Sequence, residues 1–176
     1  MVIEKLFLYP YLDKSKTERE AVTVSVEMLK EAGFVEYNLG DEIKAGGKYY
    51  FNNRNKSLYA FSVGSENIEN GVRICAAHID SPRLDLKPNP LYEDSELAML
   101  KTHYYGGIKK YQWTAIPLAL HGVIVLKDGT KVNVNVGEDD NDPKFVISDL
   151  LPHLAREQMK RTLNEGIMGE ELNILV

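Results

Sequence analysis
The feature that most constrains this chain is a short apolar run without alternation, residues 71–77 (GVRICAA), which stops at His78-Ile79-Asp80-Ser81-Pro82. A strand with one wet face alternates apolar and polar residues, whereas an unbroken apolar run suits a strand covered on both faces, as in an open α/β sheet. Such sheets carry their sites at the carboxyl edges of their strands, which is where this run turns ionisable. The sequence therefore predicts an α/β unit with His78 and Asp80 at a sheet edge. Cys75, inside the buried strand, is expected to be a small core residue rather than a reactive thiol.

The flanking segments have their own periods. Thr17-Glu18-Arg19-Glu20 is a capping box, in which the hydroxyl and the carboxylate satisfy each other's orphan amides, so a helix should follow. Val22, Val26 and Leu29 recur at i, i+4 and i+7, and Gly33 stands where a left-handed residue would end it. Residues 48–52 and 57–63 are rich in Tyr, Phe and Leu about a polar tip, Asn53-Arg54-Asn55-Lys56, which reads as a hairpin. Residues 83–95 hold two prolines and many charges and read as a connector. From Leu97 to Val136 the texture is antiparallel β, including IPLALHGVIVL, an Asp128-Gly129 turn and the alternating KVNVNV. Ser148 can cap a last helix with Pro152 in or near its first turn, Leu151, Leu154 and Leu163 towards one face, and Gly166 as its stop.

Composition narrows the function. The chain has 176 residues, enough for one sizeable domain or two small ones, and its single cysteine rules out an internal disulfide framework or a cysteine-rich zinc knuckle. A net charge of -5 argues against nucleic acid, which demands a basic face. No stretch approaches the roughly 18 apolar residues of a membrane helix, and the opening residues lack a cleavage site for export, so the expectation is a cytoplasmic protein with no membrane partner. Any metal site must lean on histidine and carboxylate.

His78 and Asp80 form the sharpest constellation. Two residues apart on a strand, both side chains fall on one side, so that an imidazole can bind a metal while the carboxylate steadies it. By spacing alone this HxD step is a weak signal, and a structural histidine at a strand end is the plainer reading. Residues 75–88 (CAAHIDSPRLDLKP), together with Tyr105-Gly106-Gly107-Ile108, Trp113, PLALHGVIV and LLPHLA, resemble the aspartyl aminopeptidase family of two-zinc metallopeptidases, nearest its bacterial branch. The likeness runs from about residue 16 to the C-terminus, and residues 1–15 look unlike the family.

The resemblance implies a three-layer α/β/α catalytic domain, begun by residues 1–90, and an inserted β-rich oligomerisation domain in residues 91–176. It implies His78 as a zinc ligand, Asp80 as the carboxylate orienting the metal site, two zinc ions per complete site, and removal of an N-terminal, often acidic, residue from peptides. His153, in LLPHLA, resembles the part of the inserted domain that approaches a neighbouring subunit's site. There it would stabilise an oxyanion in trans, but some members place that histidine where this chain has Glu157, which favours the other reading, a structural histidine capping or packing near the start of the last helix. The family's other ligands, an Asp, a Glu, another Asp and a His, and its Glu base lie beyond the matched residues. The expectation is thus an N-terminal portion of a peptidase, inactive alone, forming homo-oligomers. The rival reading is a non-catalytic assembly module; a β-barrel for a small ligand has no convergent polar cluster behind it.

The remaining candidates read as structural. Glu170-Glu171 lacks the acidic and glycine-serine surroundings of the family's base and ligand pair and is expected to be a solvated surface pair. The segment 138–142 (EDDND) lacks the central glycine of a calcium loop and reads as a polar turn. His121, in an apolar strand, is expected to be a satisfied structural histidine. His103 stays undecided beside Tyr104 and Tyr105. The aromatic stretch 104–113 is expected to pack or to bind a partner subunit.

Overall fold
Thr17 caps a helix as the sequence predicts. In the computed structural model, which describes residues 2–176 with side chains from Leu8 onward, the Thr17 amide donates to Glu20 Oε2 at 2.9 Å and its hydroxyl accepts from the Glu20 amide at 3.3 Å. Helix α2 (Glu18–Glu31) follows, and Gly33 takes a φ of +82° just past its end, a conformation a side chain would oppose. Helix α1 (Val2–Lys14) precedes it, and the Tyr11 hydroxyl meets Ser25 of α2 at 3.2 Å.

The chain divides into two compact units, Met1–Ser81 and Pro82–Val176. In the first, strand β1 (Val35–Glu36) pairs parallel with β2 (Lys48–Asn53), which pairs antiparallel with β3 (Ser57–Ser62). The expected hairpin is present. Arg54 and Asn55 both take left-handed angles, and the Lys56 amide closes the turn on the Asn53 carbonyl at 3.1 Å, the twist a tight hairpin demands. Ala21, Val22 and Tyr50 are buried, while Tyr37, Tyr49 and Phe61 form an aromatic cluster with ring centroids 5.5–6.3 Å apart.

The run 71–77 departs from its expectation. It is irregular and exposed, with Ile74 83% accessible, and Cys75 is exposed rather than in a core. A strand of this kind is stable only when neighbours take its hydrogen bonds and other elements cover both faces; among the described residues no strand pairs with it.

In the second unit the supposed connector is a strand, β4 (Arg83–Asp94), paired antiparallel with β5 (Leu97–Tyr105). Pro88 and Pro90 lie within the register shift between Leu86 and Leu91, where no ladder amide is required of them. Strand β5 also pairs with β8 (Ile174–Leu175). Strands β6 (Leu120–Val125) and β7 (Lys131–Val136) form the expected hairpin about Asp128-Gly129, with the Asp128 carboxylate accepting from the Thr130 amide at 2.9 Å. Bridges from Leu118 to Phe145 and from Val146 to Leu175 link these pieces. They enclose Phe145, Ile147, Ile167, Leu172 and Ile174, with Leu84, Leu100, Trp113 and Leu118 packed around them.

The last helix does not form. Residues 148–166 are turns with a single 3₁₀ turn at Gln158–Lys160, and Leu151, Leu154 and Leu163 are 60%, 63% and 70% exposed. A short amphipathic helix draws most of its stability from covering its apolar face, and this face is uncovered. No helix among the described residues is long and apolar enough to cross a membrane.

Leu172, with 0% of its surface exposed, is the residue about which the second unit closes. Leu172→Ala should lower unfolding stability by about 2–5 kcal/mol. The measurement is denaturant unfolding followed by Trp113 fluorescence; a shift indistinguishable from that of an exposed Leu163→Ala would refute this placement of the core.

Candidate metal centre
His78 and Asp80 lie at the end of the irregular segment instead of on a strand. The ring folds back: His78 Nδ1 is 2.8 Å from the Asp80 carbonyl oxygen and 3.2 Å from its carboxylate Oδ1. A carbonyl oxygen can only accept, so Nδ1 must carry the proton. In the neutral ring this leaves the lone pair on Nε2, the atom a metal would take, with a carboxylate behind the imidazole in the arrangement common to histidine ligands. The His78 side chain is 82% exposed and that of Asp80 39%, so the pair contributes little stability as an ion pair. These residues fit one ligand position and its orienting partner. Among the described residues no group of three or more His, Cys, Asp or Glu could hold a metal ion.

The other candidates belong to the second unit. His153 is exposed in a turn where Leu151 accepts from the amides of Leu154 and Ala155 at 2.8 and 3.0 Å, so its expected place at a helix start is corrected to an isolated turn. His103, on β5, stacks on Tyr104 with centroids 5.3 Å apart and faces Asp85 across the ladder. His121 is the structural histidine the sequence predicts: its side chain is 10% exposed and Nε2 meets Glu138 Oε1 at 2.9 Å. Trp113 packs on the core of the second unit, and Lys110 lies over the Tyr104 ring at 5.8 Å.

Both acidic segments are committed to protein partners. Glu170 accepts from Lys87 Nζ at 2.8 Å; Glu171 accepts from Arg161 Nη1 at 2.9 and 3.1 Å and from the Met168 amide at 2.7 Å. In the polar turn, Asp142 Oδ2 accepts from the Gly137 amide at 2.8 Å, while Lys144 Nζ donates to the Gly137 and Asp139 carbonyls at 2.6 and 2.7 Å. The lysine ammonium thus takes the carbonyls that a bound cation would need. Sequence reasoning passed over Lys144, because a lysine's reach to carbonyls leaves no periodic trace. It also missed the Arg83 clamp, in which Nε donates to Asp85 Oδ1 at 2.7 Å and the guanidinium lies 4.2 Å from the Tyr105 ring centre; the alternation Arg83, Asp85 on one strand face was the available signal.

Two of these carboxyls give a pH test. The Gly137 amide holds Asp142 below its ordinary value of 3.8, and the Lys87 hydrogen bond holds Glu170 below 4.5. A carboxyl with a depressed folded pKa stabilises the fold above its unfolded pKa and loses that contribution as pH falls through the folded one. Stability of the second unit should therefore drop on acidification from about pH 5 to below pH 3, and less steeply in Asp142→Asn. Urea unfolding across that range checks it; identical slopes in the variant and the parent chain would contradict the assignment.

The profile of the family described as Aminopeptidase I zinc metalloprotease (M18) matches residues 11–176, so the likeness begins ahead of residue 16 and takes in part of the segment that looked foreign. A probable M18 family aminopeptidase 1 from Clostridium acetobutylicum is 57% identical over 170 residues, covering 94% of this chain and 37% of that protein. The crystal structure of an M18 aminopeptidase from Thermotoga maritima superposes with a TM-score of 0.90 at 42% identity, covering 99% of this chain and 38% of the other. That of aminopeptidase I from C. acetobutylicum gives 0.83 at 51% identity, covering 96% and 38%. The chain therefore spans a little over a third of the length of the relatives it matches. The HIDSPR segment that presents His78 sits inside a match running along nearly the whole sequence, and the chain belongs to the aminopeptidase I zinc metalloprotease family (M18), the aspartyl aminopeptidases, among their bacterial members.

Proposed function
We propose that this chain is the N-terminal portion of a cytoplasmic, zinc-dependent aminopeptidase that removes N-terminal, preferentially acidic, residues from peptides. The observation that carries the reading is the His78 ring locked by Asp80 with Nε2 presented outward, in a chain of this family. Zinc, when bound, supplies the Lewis acidity that brings the pKa of a water towards about 7. The residues of this chain have a narrower task. His78 offers one nitrogen, and Asp80 holds the tautomer and the ring orientation that make it a ligand. Residues 1–90 would begin a three-layer catalytic domain and 91–176 the inserted oligomerisation domain. A complete site would hold two zinc ions, with most ligands and the base supplied outside these residues.

Homo-oligomerisation is supported by the uncovered Leu150, Leu151, Leu154 and Leu163 of the second unit, which are 54–70% exposed. His153 lies among them and is open to a neighbouring subunit, where it would donate to the oxyanion of a substrate under attack, worth about 3 kcal/mol. In the assembled full-length protein, His153→Ala should then lower turnover and leave thermal stability and subunit assembly intact. Equal loss of stability and turnover, or no loss of turnover, would make it a structural residue.

The main test uses the full-length protein and this chain side by side. His78→Ala should strip at least one zinc and most activity, and Asp80→Asn should cut both by roughly 10-fold or more. The chain alone should associate by light scattering, lose added zinc on dialysis and turn over no aminoacyl substrate, because one imidazole and one carboxylate chelate weakly. Unchanged zinc and turnover in His78→Ala would remove the site. Absence of any turnover from the full-length protein would favour the non-catalytic assembly module.

A further inference from the structure
We propose that Asn70 is a modification site, where spontaneous deamidation through a succinimide converts the carboxamide to aspartate and isoaspartate. Asn70 is the only asparagine of the chain followed by glycine. The reaction needs the amide nitrogen of the next residue to reach the side-chain carbon Cγ, and a side chain on that next residue obstructs the approach. Gly71 has none, and its backbone stands at φ 107° and ψ 169°, a region essentially reserved for glycine, with open space where a Cβ would lie.

The surroundings leave the carboxamide free to turn. Asn70 and Gly71 are exposed, and no hydrogen bond is made by the Asn70 side chain. The backbone restraint is one 3₁₀ turn, Ile68–Asn70, in which the Gly71 amide donates to the Ile68 carbonyl at 2.9 Å. That turn buries no residue, so it opens locally without unfolding anything else. Asn67, three positions earlier, supplies the contrast. Its Oδ1 accepts from the Glu69 amide at 3.1 Å, its Nδ2 donates to Glu69 Oε2 at 3.3 Å, and the branched Ile68 follows it.

The chemistry closes without an oxidant or a cofactor. The Gly71 nitrogen gives its proton to solvent base and bonds to Asn70 Cγ; the Cγ–Nδ2 bond breaks as Nδ2 takes a proton back from solvent, and ammonia leaves. Water then opens the five-membered imide at either carbonyl. One opening restores the ordinary chain as aspartate, and the other routes the backbone through the side chain as isoaspartate. Either product adds a negative charge to a segment already carrying Glu66 and Glu69, eight residues ahead of His78, and isoaspartate also lengthens the main chain there by one methylene.

The test is a time course on the 176-residue chain held at neutral and mildly alkaline pH, digested with trypsin and compared with a zero-time digest. The fragment 57–73, released after Lys56 and Arg73, contains both asparagines and serves as its own control. The acid form should accumulate at Asn70 with isoaspartate as the larger product, faster at the higher pH, while Asn67 keeps its amide. Asn70→Gln, which cannot readily close a five-membered imide, should lose the mass shift, and Gly71→Ala should slow it severalfold. Conversion at Asn67 as fast as at Asn70, an Asn70 that stays amidated throughout, or an unchanged rate in Gly71→Ala would each overturn the proposal.

Discussion
The second unit depends on the burial of one short segment near the end of the chain. Leu172 is fully enclosed and its carbonyl receives the hydroxyl of Thr102, the one buried polar residue of the described chain, while Ile174 pairs with Leu100 across β5 and β8. Leu175 then bridges to Val146. Three pieces distant in sequence, the β4–β5 ribbon, the β6–β7 hairpin and the 145–147 segment, thereby share one apolar interior. Burying a polar hydroxyl there is tolerable because it is spent on a carbonyl that would otherwise lack a partner.

A different economy governs the surface of this unit. Its acidic residues look from sequence like candidate ligands, yet Glu170, Glu171 and Asp142 each face a lysine, an arginine or a backbone amide. A carboxylate so engaged offers few lone pairs to a metal and is held in its charged form, the opposite of what a general base working near neutral pH requires. The His78–Asp80 pair differs in what it offers. The Asp80 carbonyl fixes the imidazole proton on Nδ1, and the ring, 82% exposed, keeps Nε2 for a ligand. This is an arrangement that orients a ligand, and it acquires catalytic meaning only through the family to which the chain belongs.

Where sequence reasoning succeeded, the information was local. The Thr17 box, the glycine at 33, the Arg54-Asn55 tip and the Asp128-Gly129 turn each rest on bonds among residues a few positions apart, so the pattern carries the geometry with it. The likeness around HIDSPR was legible for a related reason, since the residues that present a ligand adjoin one another in the chain. The structural histidine at 121 could be anticipated from its apolar neighbours, though not its partner Glu138, which is brought near by the return of the hairpin.

Where it failed, the deciding partner was absent from the local pattern. Residues 71–77 have the composition of a strand covered on both faces, and residues 148–166 have an apolar helical face, but neither finds its cover among the described residues and both stay irregular. Residues 83–94 show the converse: prolines and charges suggested a connector, and pairing with β5 made a strand with its prolines set into the register shift. The sequence by itself determined the Thr17 cap, the tight turns, the β2–β3 and β6–β7 hairpins and the family, because these are written in short-range chemistry. Tertiary structure alone decided which apolar stretches became elements, because burial and ladder hydrogen bonds are supplied by distant partners and a segment without them gains nothing by becoming regular.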